Sequence, residues 1–128
     1  MNSLTVYGLP ATAVRESFTT VECSGSFTIG VFTGSLALDV LLGDVRSLKE
    51  KRSVVRPIVA ELRRKHDVSA AEAGHLDLHR RALIGVAVVA ADAQHVREVL
   101  DACERLVGSR PEVEVLSAHR QLMKEEDD

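Results

Sequence analysis

Leu36, Leu38, Val40 and Leu42 alternate with Ala37, Asp39 and Leu41. A repeat of two puts the first set on one side of an extended chain, so this spacing predicts a strand with one strongly apolar face. Gly43-Asp44 supplies a turn. After Ser47 the period changes: Leu48, Val55, Ile58, Val59 and Leu62 recur at helical spacings. Ser47 can cap this helix, and Glu50 can reach back to it, as in the S-x-x-E box. Pro57 lies inside the pattern; it lacks an N–H and crowds the preceding turn, which predicts a kink or break over residues 53–56. Residues 68–73 read as a short strand and 74–81 as a polar loop or hairpin arm. Residues 82–91 are apolar almost throughout, the mark of a central strand covered on both faces. Asp92 opens a second helix lined by Val96, Val99, Leu100, Cys103, Leu106 and Val107, with Gly108 closing it and Pro111 blocking continuation. Val113 and Val115 begin a last strand, and residues 124–128 form a solvated acidic tail.

The predicted order is β-α-β-β-α-β, a ferredoxin-like α+β arrangement of four antiparallel strands with both helices on one face. This domain spans 28–123, after a flexible or loosely docked extension over 1–27. The third strand is apolar on both parities, with Ile84, Val86 and Val88 on one side and Ala87 and Val89 on the other, where Leu41 joins them. The helices cover one sheet face only. The open face therefore calls for a cover, and a homodimer is expected, with the extension or another protein as the other choices.

Composition is that of a soluble globular chain: 45% hydrophobic and 27% charged over 128 residues, with a net charge of −3. Its distribution changes the picture. Residues 46–66 carry eight Lys and Arg against Glu50 and Glu61, a local +6, while 112–128 carry Arg120 and Lys124 against six acids, a local −4. A one-signed patch can steer a partner even when the total is near zero. Two cysteines are too few for a disulfide framework, and Cys103 reads as a buried thiol. The first residues lack the basic start and apolar run of a secretory signal, and no apolar stretch is long enough for a bilayer, so a cytoplasmic protein without membrane contact is expected.

The basic helix is the main chemical handle. At 100° per residue, Lys49, Arg52, Arg56 and Arg63 fall within about 60° of arc, and Arg64 and Lys65 extend the row. Such a row can follow a phosphate backbone, as each cation neutralises a phosphate and releases counterions. The plainer reading, a solvated face with i,i+4 pairs, has only Glu50 and Glu61 to work with. Lys51 lies nearer the apolar stripe and is expected to snorkel. RNA stacking on the sheet is disfavoured, because the central strand offers Ala87, Val88 and Val89 rather than aromatics. His75, Asp77 and His79 would share a face in an extended segment and could hold zinc, but no fourth ligand is evident and a polar hairpin arm is the expected reading. Ser47 has a capping role and no His-Asp partner nearby in sequence. Gly30, Gly34 and Gly43 do not form a phosphate-cradling loop, and Glu72 reads as a solvated or paired acid. No enzyme activity, metal or cofactor is expected.

The segments Ser47-Leu48-Lys49-Glu50-Lys51-Arg52, Val68-Ser69-Ala70-Ala71-Glu72 and R-A-L-I-G-V-A-V-V at 81–89 together resemble the YlxP-like family of small bacterial proteins, a domain of unknown function. The resemblance covers roughly 28–121. It implies a ferredoxin-like fold in a cytoplasmic bacterial protein, with genes often placed among those for translation initiation and ribosome maturation. It supplies no catalytic residues. Where the family typically has D-H-Q-D-L-W-Q-R, this chain has G-H-L-D-L-H-R-R at 74–81, with His79 in place of the aromatic and Gly74 in place of the first acid. The extension also lies outside the family pattern. Charge and resemblance together point to an accessory factor touching ribosomal or other structured RNA through the first helix. A homodimeric protein-interaction or small-ligand regulatory module is the alternative.

Overall fold

The computed structural model describes residues 30–125, so the extension expected over 1–27 lies outside them. The elements run β1 (Val31–Leu42), α1 (Leu48–His66), β2 (Ser69–Gly74), β3 (Arg81–Ala90), α2 (Ala93–Gly108) and β4 (Val113–Glu125). All neighbours pair antiparallel in the order β2-β3-β1-β4. The fold is ferredoxin-like α+β.

Alternation along β1 and β3 sets the two faces of the sheet. Leu36, Leu38, Val40 and Leu42 lie beside Val86, Ile84 and Ala82 and point toward the helices, which close over them with Val55, Ile58, Leu62, Val96, Leu100, Cys103 and Val107. Each large aliphatic removed from water here stabilises the fold by about 1.5–3 kcal/mol. Gly34 marks the closest approach of α2 to β1: an added Cβ would run into Val96 and Leu100. Burial pushes the Cys103 thiol above its usual pKa, in keeping with an inert core position.

Some expectations change. Pro57 does not break α1, which is one helix of 19 residues. The proline is exposed, and packing of the opposite face carries the helix past the lost hydrogen bond. Ser47 caps as expected, but the Glu50 carboxylate reaches the Arg46 N–H, one residue before the cap. Gly108 is the final helical residue rather than the residue beyond it, and Ser109 caps α2 in a right-handed conformation. β4 runs through Lys124 and Glu125, which pair with Phe32 and Val31, so two residues expected in the tail are strand. Lys51 does not snorkel: it is 1% exposed.

Candidate nucleic-acid interface

The sequence of α1 divides the helix cleanly. Its apolar positions face the sheet, so the positions between them must face out. Lys49, Arg52, Ser53, Arg56, Pro57, Ala60, Arg63 and Arg64 are all exposed, and the exposed acid beside them is Glu50 in the first turn. Glu50 is engaged by the Arg46 amide, and Glu61 by Lys65 and Arg110.

The six cations expected to form one row separate into two groups. Lys49, Arg52, Arg56 and Arg64 have no hydrogen-bond or ion-pair partner among the described residues. Arg63 turns toward the sheet edge, donating from Nε at 3.0 Å and Nη2 at 2.7 Å to the Ala70 carbonyl. That carbonyl belongs to edge strand β2, so Arg63 caps a backbone group that would otherwise invite another strand. Lys65 lies 3.2 Å from Glu61 one turn earlier, a half-exposed i,i+4 pair of small energetic worth. The unbonded cations of the outward face are therefore Lys49, Arg52, Arg56 and Arg64, while Arg63 adds its charge at the sheet edge.

Two hollows adjoin the cations of this face. One, of about 490 Å³, lies between α1 and β2, with Arg52, Arg56 and Arg63 on the helix side and Ala71 and Glu72 on the strand side. The other, of about 370 Å³, lies among Lys49, Arg52, Ser53, Arg56 and Pro57. Glu72 would offset the positive charge of the first hollow, but Lys51 reaches it from below at 2.6 Å. Lys51 also donates to the His75 carbonyl at 2.6 Å. The pair joins two of the segments that carry the family resemblance and holds α1 against β2.

A second polar cluster was not foreseen. On the open sheet face Arg81 grips Asp39 with Nε at 3.1 Å and Nη2 at 2.6 Å, and His75 Nε2 lies 3.5 Å from the same carboxylate. The available signal was that Asp39 and Arg81 share the parity facing away from the helices. His75 adopts φ 56° in a turn, so His75, Asp77 and His79 do not line one extended face. Among the described residues no three His, Cys, Asp or Glu side chains are grouped to hold a metal, and no helix is long and apolar enough to cross a membrane.

The arrangement provides a cationic helix face with one hollow on it and another between it and β2. It can neutralise a row of phosphates, and it offers no nucleophile–base pair. Comparison with known proteins gives the chain its family but no activity. The uncharacterized protein YlxP of Bacillus subtilis (strain 168) is 31% identical over 81 residues, which is 63% of this chain and 88% of that protein. Residues 33–120, from early β1 to late β4, match the family described as a protein of unknown function, DUF503, and the chain belongs to that family.

Proposed function

We propose that this protein is a non-enzymatic cytoplasmic accessory factor that contacts ribosomal or other structured RNA through the exposed face of α1. The observation that supports this reading is the set Lys49, Arg52, Arg56 and Arg64: four cations without protein partners among the described residues, on a helix side whose exposed acid, Glu50, is held by the Arg46 N–H. Two arginines on other elements are paired with acids instead, Arg81 with Asp39 and Arg120 with Asp101 and Glu104. Four phosphate contacts give a slope of log affinity against log salt of about −3, so raising salt from about 50 to 200 mM weakens binding by about 50- to 150-fold. Co-sedimentation with purified ribosomal subunits at those two salt concentrations tests this. Arg52→Glu with Arg56→Glu is expected to abolish retention at low salt with the fold intact by circular dichroism. Retention unaffected by salt or by that double change overturns the proposal.

The open sheet face favours a second reading, a homodimeric interaction module. Val89 is 66% exposed there, beside Ala87, Gly85 and Ala71, and the Asp39–Arg81 pair is self-neutralised. Light scattering after size exclusion across micromolar concentrations tests it, and a strict monomer throughout removes it.

A further inference from the structure

The exposed face of α1 is charged at two places with a neutral gap between them. Lys49, Arg52 and Arg56 occupy its first half and Arg63 and Arg64 its last turn. Between Arg56 and Arg63 the outward positions are Pro57 and Ala60, both uncharged; the Arg63 guanidinium is tied to the Ala70 carbonyl but keeps its charge. At 1.5 Å per residue, the seven and eight steps from Arg56 to Arg63 and Arg64 separate the two charged places by about 10 to 12 Å along the axis. That is the scale of a nucleic-acid groove, about 6 to 12 Å in B-form DNA, rather than of neighbouring phosphates on one strand.

The gap itself is informative. A helix that reads the deep major groove of B-form DNA presents long polar side chains to the base edges. Pro57 and Ala60 offer neither length nor a hydrogen bond. Proteins that bind single strands supply aromatic platforms for stacking. Among the described residues the one Phe, Tyr or Trp is Phe32, on β1 with the Lys124 ammonium 5.7 Å from its ring centre. A short-chained, phosphate-spaced surface suits a groove that is wide and shallow and is recognised by shape, which describes the minor groove of an A-form duplex.

We infer that the target is double-helical RNA, with α1 lying across its minor groove. Lys49, Arg52 and Arg56 meet the phosphates of one strand, Arg64 meets those of the other, and Pro57 and Ala60 lie over the groove floor. This rests on the cationic-helix reading above and narrows it to one form of nucleic acid.

The test is fluorescence anisotropy with labelled RNA duplex of about 16 base pairs, its separated strands, and DNA duplex of the same sequence. Duplex RNA is expected to bind about tenfold or more tighter than either alternative, a difference of about 1.4 kcal/mol. Ala60→Trp adds bulk over the groove floor and is expected to weaken duplex RNA about tenfold while leaving single strands unchanged. Arg64→Glu, remote from that bulk, is expected to weaken duplex RNA as well. Single strands bound as tightly as duplex RNA, DNA duplex bound as tightly, or duplex binding indifferent to both changes overturns the inference while leaving a cationic RNA contact standing. Failure of all three nucleic acids to bind overturns the parent reading.

Discussion

Lys51 can lie on the buried side of α1 because two oxygens await it there, the Glu72 carboxylate and the His75 carbonyl, each at 2.6 Å. Taking an ammonium out of water is costly, and removing its partner leaves that cost uncompensated. Glu72→Ala is therefore expected to destabilise the fold by about 3–5 kcal/mol in urea unfolding. Lys51→Met is expected to cost less, because the Glu72 side chain is 20% exposed and can turn its buried Oε2 toward water. Lys51→Met with Glu72→Ala is expected to fall short of the sum of the two, the sign of direct coupling. Asp39 gives a pH signature. The Arg81 guanidinium bonded to it, aided by His75, holds its carboxyl below the usual carboxylate range despite some desolvation. A depressed pKa in the folded state means that the pair contributes stability above the unfolded value of about 3.9, and that this is lost as pH falls through the lower folded value. Denaturation midpoints are expected to drop below about pH 4, and to drop less steeply in Asp39→Asn. Local spacing was enough to identify the Ser47 cap and the buried Cys103. It could not place Lys51, whose partners are brought beneath it only by the docking of β2.

α1 carries a proline in its interior and remains a helix because its other face is packed on the sheet. Pro57 cannot donate to the Ser53 carbonyl, and both residues are exposed. Pro57→Ala restores that bond and is expected to stabilise the protein by about 1–3 kcal/mol, read as a higher thermal midpoint by far-UV circular dichroism. The cationic face should be unaffected, since no charge changes. Elements with a clear period were legible in the sequence: the two-residue repeat of β1, the apolar run of β3, and the apolar stripes of both helices. β4 was legible only at its start. It is an edge strand, paired on one side to β1, and from Ser117 to Gln121 it is largely polar with a register shift opposite Asp39/Val40, so no alternation marks its length. The basic row on α1 was visible as a row. Its division was not, because Arg63 is diverted by a carbonyl that only the folded β2 edge presents.

At the scale of the whole molecule, two surfaces of different character lie on opposite sides: the cations of α1 face outward on one, and the sheet face, with its self-neutralised Asp39–Arg81 pair, lies on the other. Four strands about 4.8 Å apart and averaging about 33 Å long give that sheet face roughly 600 Å². A standard stable interface buries about 800 Å² per partner, so self-association through the sheet should be weak and concentration-dependent, with dimer appearing in the micromolar range. Among the described residues Val89 is the most exposed of the large apolar side chains, and a carboxylate there would have to be desolvated in any sheet-to-sheet interface. Val89→Glu is expected to leave a monomer at every concentration by light scattering and to leave RNA affinity unchanged. Arg52→Glu with Arg56→Glu is expected to do the reverse. Because the two surfaces share no residues and lie on opposite sides of the fold, the combined variant should show both losses with no coupling between them beyond about 0.5 kcal/mol. A dimer lost on changing Arg52 and Arg56, or RNA affinity lost with Val89, would mean that one surface serves both partners.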